Sequence, residues 1–345
     1  MRCLTLANEM RSRGATCQFI CREHSGNLIA LIQAQGFEVM ELPNALSGGK
    51  PGTAGPEPSY AHWLGEEPGR DAEQTLGIVS ASKPDWLVID HYAIDADWEK
   101  VFRPHVRRMM VIDDLANRAH ECDLLLDQNF YVDMAARYSG LLPPNCILLL
   151  GPTQVLLRPE FIQAHHSLRR RDGTVRRILV FFGGSDLTNQ TQKTLEAIGN
   201  LHRTDIAVDV VIGGASPYRH QLQEMADAMP NVALHCQVSN MAEMIARADL
   251  GIGAGGAAMW ERCYLGLPTI TVTFADNQVR TTEDVATLWA IKYVGRCNSF
   301  TAVEYEQAIR EALEAPEELR QLSAVSLELV RPGAQHIADV MESFV

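Results

Sequence analysis

The sequence predicts an α/β protein built from two doubly wound parallel-sheet domains. Three observations predict it. At 345 residues the chain is roughly twice the ~150 residues of a typical domain. Twelve short apolar runs alternate with amphipathic stretches along the whole length, the rhythm of repeated βα units. The runs are continuous rather than strictly alternating, as strands covered by helices on both faces require.

Taken in order, residues 1–13 read as a helix, with Leu4, Ala7 and Met10 at helical spacing and Gly14 as its stop. Strands follow at Thr16–Cys21, Phe37–Glu41, Trp86–Asp90, Met109–Asp113, Leu124–Leu126 and Cys146–Leu150. The stretch from Leu46 to Tyr60 is rich in Gly, Pro and Ser, has no period and reads as a long surface loop. A polar stretch from Arg158 through His165-His166 to Gly173 then interrupts the rhythm. It sets the expected boundaries: a domain over 1–157, a linker over 158–173 and a domain over 174–345. Beyond it, strands are expected at Ile178–Phe182, Ala207–Ile212, Val232–His235, Leu250–Ile252, Thr269–Phe274 and Tyr293–Gly295.

Composition removes several function classes. With 46% hydrophobic and 21% charged residues the chain is not disordered. Thirty basic against 43 acidic side chains give −13, so neither nucleic acid nor an anionic membrane surface is an expected partner. No apolar run approaches the ~18 residues of a spanning helix, and Met1-Arg2-Cys3-Leu4 starts no signal peptide, so a cytoplasmic location is expected. The eight cysteines are scattered without a C-x-x-C, which predicts reduced thiols rather than a metal site or a disulfide framework. Asp95-Ala96-Asp97 matches the D-x-D of metal-dependent sugar-nucleotide enzymes, but no histidine neighbours it. No metal and no cofactor are expected.

In open α/β sheets ligands sit beyond the carboxyl ends of the strands. Two strand ends stand out. The first, Gly183-Gly184-Ser185-Asp186, leads into a helical pattern from Gln190; its glycines permit close backbone approach, so that amides of the turn and of the helix start face a phosphate, or they simply make a tight turn with Asp186 as a cap. The second runs from Gly251 to Ala258, with four glycines and three alanines in eight residues, so little side-chain bulk stands beside a helix start. Its spacing is neither the dinucleotide G-x-G-x-x-G nor the Walker motif, which argues against NAD and ATP. Glu261 falls one turn into the following helix, where a carboxylate can accept a ribose diol or act as an ordinary first-turn acid. Val238 to Met241 can grip a base edge, while Asn240 and Glu243 equally suit a capping box. Asp276-Asn277-Gln278, Asp90-His91-Tyr92 and Asp113-Asp114 occupy further strand ends.

These residues together resemble a known family. Met1 to Ala7, Phe19-Ile20-Cys21-Arg22, Ile89-Asp90-His91-Tyr92, Asp113-Asp114, Gly183 to Asp186, and Gly255 to Glu261 with Asp276-Asn277-Gln278 resemble the UDP-2,4-diacetamido-2,4,6-trideoxy-β-L-altropyranose hydrolases of pseudaminic acid biosynthesis. The second half is also similar to the MurG-type N-acetylglucosaminyltransferases. The resemblance implies a GT-B-like fold, two Rossmann-like domains facing a cleft, and metal-independent, inverting hydrolysis of a UDP-sugar by water. Carried onto this chain, it implies Glu261 at the ribose, Gly184, Ser185, Gly255, Gly256 and Ala257 at the diphosphate, and Val238, Met241 and Gln278 as further substrate contacts. Tyr92 and Asn277 would line the sugar and water as the catalytic pair.

In that family, Met1-Arg2-Cys3-Leu4 corresponds to the tail of G-x-G-H-x-M-R-C-L, whose histidine is the general base. The resemblance therefore implies that the first strand of the N-terminal domain and the base precede Met1, at an internal methionine of a longer reading frame. The chain beginning at Met1 is expected to fold poorly and hydrolyse little, and His24 and His91 are near the missing base only in number. Two other functions stay open: a GT-B glycosyltransferase that needs an acceptor, and a UDP-sugar binding protein without catalysis.

Overall fold

The structure is a computed structural model and describes residues 1–24, 26–44, 60–184 and 186–344. Its strands are β1 (Gln18–Arg22), β2 (Glu38–Leu42), β3 (Trp86–Ile89), β4 (Arg108–Ile112), β5 (Leu124–Asp127) and β6 (Ile147–Leu150), then β7 (Arg177–Phe181), β8 (Ala207–Ile212), β9 (Val232–Cys236), β10 (Leu250–Ala254), β11 (Thr269–Thr273) and β12 (Lys292–Arg296). All twelve coincide with the expected apolar runs to within a few residues, and every pairing is parallel. Most of the 46–60 stretch expected to form a surface loop lies outside the described residues.

The chain divides into two compact units: Met1–Asn129 with Asp133–Leu156 and Gly333–Val345, and Phe130–Val132 with Leu157–Pro332. Two expected boundaries change as a result. Residues 333 onward, expected in the second domain, join the first, because Ile337 and Met341 of the helix Ala334–Ser343 pack on Leu6, Met110, Ile112, Leu124 and Leu126. The expected linker 158–173 is part of the second unit, where Phe161 and Ala164 of the helix Pro159–His165 are buried and Arg171 is capped by the carbonyls of Ile245, Ala248, Leu265 and Gly266.

In the first unit, successive residues of β4 and β5 feed opposite faces. Met109, Val111 and Leu125 pack with Val79, Trp98 and Phe102, whereas Met110, Ile112, Leu124 and Leu126 pack with Leu6 and Ile337. This two-sided burial is why the strands read as unbroken apolar runs. The sheet is interrupted: β1 pairs with β2, β3 to β6 pair in order, and among the described residues no ladder joins β1 to β3. Ile20 of β1 packs against the same cluster as Leu87 and Ile89 of β3, so the two edges share one core without sharing hydrogen bonds. The expected helix at the start forms as Arg2–Ser12, ended by Gly14 at φ +94.

The second unit is one six-stranded sheet in the order β12-β11-β10-β7-β8-β9. Connections run outward in both directions from the adjacent pair β7 and β10, so the carboxyl ends of these two strands flank the topological switch point where such sheets bind ligands. The two glycine turns leave from these two ends.

The interrupted sheet predicts unequal protection. Amide hydrogen exchange under native conditions should be faster in β1 and β3, which are half-buried with an unpaired edge, than in β4 and β5, which are buried and flanked. Equal protection in β3 and β5 would contradict an open edge.

Candidate functional site

The second unit carries the larger set of candidate residues. At the end of β7, Gly183 has φ +100, and a methyl group added to Gly183 or Gly184 would meet nothing within 4 Å, so the backbone lies open. The helix start beyond it is not open. Asp186 accepts from the amides of Gln190 (2.9 Å) and Thr191 (2.8 Å) and from the Thr191 hydroxyl (2.6 Å), and Asn189 caps Gln192. The expectation that this helix start also faces a phosphate is therefore corrected: a carboxylate of the chain already satisfies it. Ser185 lies outside the described residues. Sequence reading missed Gly213, whose added methyl group would fall 1.9 Å from the Gly184 carbonyl oxygen. No side chain but glycine lets the end of β8 approach this turn.

The turn after β10 is different. Gly256, at φ +89, precedes the helix Ala257–Tyr264, and no side chain caps that helix. Its first amides have no intrahelical acceptor, so they remain as donors with the positive end of the helix dipole behind them. Gly255 and Gly256 face Gln278, whose Nε2 would lie 3.3 Å from a methyl group on Gly256. Gln278 Oε1 accepts from the Phe274 amide at 3.0 Å, which clamps the end of β11 beside the turn and leaves the amide nitrogen toward it.

Glu261 stands in the helix Ala257–Tyr264 as expected, but it is not alone. Arg158 donates from Nε (3.3 Å) and Nη2 (3.1 Å) to Oε1, a partner 103 positions away that the sequence reading had placed in a linker. Oε2 has no donor among the described residues. Burial pushes the Glu261 carboxyl above its ordinary value, and Arg158 opposes this. Asn277, the second residue of the helix Asp276–Thr287, is half-buried and makes no side-chain hydrogen bond among the described residues. Val238 is half-buried and Met241 buried at the end of β9. Gln237, the residue before Val238, packs on Gly214. The expected capping box does not form, because Asn240 caps no amide and only its side chain reaches Glu243, at 3.5 Å.

In the first unit the strand-end acids form one network. Arg2 donates to Asp90 through Nε and Nη2 at 2.7–3.1 Å and lies 3.6 Å from Asp114; Cys3 Sγ donates to Asp90 at 3.3 Å. Burial pushes the Asp90 carboxyl up, but Arg2 outweighs it and holds the group below the usual carboxylate range. Burial and Asp114 raise the Tyr92 phenol, so Tyr92 stays protonated near neutral pH and acts as a hydrogen-bond donor, not a base. Its ring stacks on Trp63 at 5.8 Å and meets Tyr60 at 5.0 Å.

His91 is not a free base either. Its Nδ1 accepts from the Ala93 amide at 3.1 Å, the Trp63 backbone holds the ring by a second hydrogen bond, and burial lowers its pKa. Among the described residues His24, close enough to influence His91, uses only Nδ1, 3.4 Å from the Asn44 amide. Asp113 accepts from Arg118 and the Ala116 amide, a structural role. Asp95 caps the helix Ala96–Phe102 and Asp97 pairs with Lys100. A cavity of about 380 Å³ lined by Arg169, Arg176, Arg177, Arg247 and Asp249 lies at the amino ends of β7 and β10, away from the glycine turns. Its arginines pair with Asp172, Asp209 and Asp249.

Comparison with known proteins bears on the fold. Residues 178–336, less than half of the chain, match the glycosyltransferase family 28 C-terminal domain. An uncharacterized protein of Methanocaldococcus jannaschii is 24% identical over 277 residues, 79% of this chain and 51% of its own length, so the match spans about half of that relative. The UDP-2,4-diacetamido-2,4,6-trideoxy-β-L-altropyranose hydrolase of Campylobacter jejuni is 26% identical over 208 residues, 60% of this chain and 73% of that protein. Among solved structures, MurG of Acinetobacter baumannii superposes with a TM-score of 0.66 at 14% identity, covering 99% of this chain and 95% of MurG. The fold is that of the GT-B glycosyltransferases, two α/β units with all-parallel sheets. Among the described residues no helix is long and apolar enough to cross a membrane.

The Arg2–Asp90 pair gives a pH prediction. Because the folded carboxyl titrates below its unfolded value, its contribution is present above the ordinary carboxylate pKa and fades as pH falls through the lowered one. Asp90→Asn should therefore cost ~1–3 kcal/mol in urea unfolding at pH 7, with the gap to the parent narrowing toward pH 3. A gap of constant size would assign the loss to packing instead.

Proposed function

We propose that the protein hydrolyses a UDP-linked diacetamido-trideoxy sugar at its anomeric carbon with inversion, releasing UDP and the free sugar for pseudaminic acid biosynthesis. The observation that carries the nucleotide part is the uncapped helix start after β10, with Glu261 one turn further on keeping Oε2 unengaged. A diphosphate on the amides of Gly256 and Ala257 puts a ribose within a carboxylate's reach, and Gly184 supplies a second open stretch of backbone at the neighbouring strand end. The C. jejuni relative of that name supports the choice of sugar and of water as acceptor.

In this reading water attacks the anomeric carbon, the bond from that carbon to the phosphate oxygen breaks, and the electron pair leaves with UDP. Charge therefore grows on the diphosphate. Preorganised amides at a helix start stabilise it without a cation, and one such donor is worth ~3 kcal/mol in comparable oxyanion sites. Asn277 and Tyr92 are proposed as contacts to the sugar and the water, Tyr92 through the lone pairs of a hydroxyl whose proton is given to Asp114. The attacking water must lose a proton; among the described residues His24 keeps a ring nitrogen unengaged, whereas His91 is held at both.

A glycosyltransferase is the second reading, supported by the family 28 match and the MurG likeness. One assay separates the two. Incubation with the UDP-diacetamido sugar and no acceptor should release UDP and reducing sugar in equal amounts; turnover that begins only when an acceptor is added would overturn the hydrolase reading. UDP binding without turnover in either condition would leave a binding protein. Glu261→Ala should weaken UDP binding by ~1–3 kcal/mol through lost charge-assisted hydrogen bonds. Unchanged affinity by calorimetry would remove Glu261 from the ribose.

A further inference from the structure

Arg262 is the least expected residue of the second unit. It follows Glu261 directly, is 3% exposed, and points beneath the glycine turn, where Nη2 donates to the carbonyl of Ala254, the last residue of β10. Nε and Nη1 have no hydrogen-bond partner among the described residues. Among the described residues no carboxylate forms an ion pair with the group, and its chain neighbour Glu261 is engaged by Arg158. Burial alone pushes its pKa down to about 10, so it remains charged at neutral pH.

An unpaired buried charge is strongly unfavourable unless another ion compensates for it. The surroundings indicate where that ion sits. A methyl group on Gly253 would lie 3.1 Å from Arg262 Nη1 and 2.4 Å from the Phe181 carbonyl oxygen, so the guanidinium is held directly under the strand end that opens into Gly255 and Gly256. Above it stands the uncapped start of the helix Ala257–Tyr264. A fixed cation below and free amides above make one electrostatic unit facing the same turn. By holding the Ala254 carbonyl inward, Arg262 also orients the peptides that follow it.

We propose that Arg262 is a positioning residue that acts as the fixed counter-charge of this turn, making it selective for the doubly charged diphosphate over the uncharged part of a nucleotide. The inference rests on the diphosphate reading of the same turn. It adds that the charge discrimination comes from a side chain that does not touch the ligand.

Calorimetry on the full chain tests it, with UDP, uridine and inorganic pyrophosphate as titrants against the parent, Arg262→Met and Arg262→Lys. Arg262→Met should lose about tenfold or more in affinity for UDP and pyrophosphate while uridine binding stays within about twofold. Arg262→Lys, which keeps a charge, should recover most of the loss. Equal losses for UDP and uridine, or no rescue by lysine, would reduce Arg262 to a structural role and overturn the proposal. Should Arg262→Met not fold, Arg262→Lys carries the test alone: UDP affinity within about threefold of the parent supports a counter-charge, and a larger loss with uridine binding intact contradicts it. Should the parent bind pyrophosphate but not UDP, the nucleotide reading fails while the pyrophosphate arm still decides Arg262. A parent that binds neither overturns both.

Discussion

The second unit depends on how closely β10 approaches β7 at Gly253. A methyl group there would stand 2.4 Å from the Phe181 carbonyl oxygen, so the two central strands meet at their carboxyl ends only because this position has no side chain. The close approach brings both glycine turns to one edge of the sheet. The same missing side chain makes room for the Arg262 guanidinium, which fixes the Ala254 carbonyl. Packing thus sets the electrostatics of the helix start, and the electrostatics set what that edge can hold.

The two turns, similar as sequence, have become unlike as structure. Asp186 closes the helix start after β7 with three hydrogen bonds, leaving only the open backbone of Gly183 and Gly184. The helix start after β10 carries no such acid, and Glu261, one turn further on, pairs with Arg158. Of these two neighbouring helix starts, the bare one is the better place for an anion. In the first unit the corresponding strand ends carry a closed network of Arg2, Asp90, Asp114 and Tyr92, with an aromatic group of Tyr60 and Trp63 beside it. That network ties the first helix to β3 across an edge where no ladder runs.

Much of this was legible in the sequence because it is local. Strands buried on two faces read as unbroken apolar runs, and glycines beside strand ends read as turns; neither inference needs a distant partner. What was missed is long-range or depends on competition for donors. Arg158 meets Glu261 across 103 positions, and its polar surroundings made the segment look like a linker. The helix Ala334–Ser343 follows the second unit in sequence but finds its apolar partners, Leu6 and Ile112 among them, in the first. His91 and Asp113 read as available strand-end groups, yet backbone amides and Arg118 had already taken them. Arg262 carried no signal beyond being a charged residue on the buried face of an amphipathic helix, where only the glycine at 253 makes sense of it.

The central claim is that the uncapped helix start after β10 is the seat of a nucleoside diphosphate. A crystal structure of the protein with UDP tests it most directly. The account predicts phosphate oxygens on the amides of Gly256 and Ala257 and ribose hydroxyls on Glu261 Oε2. UDP bound elsewhere, for instance in the arginine-lined cavity at the amino ends of the strands, with this helix start empty, would contradict it.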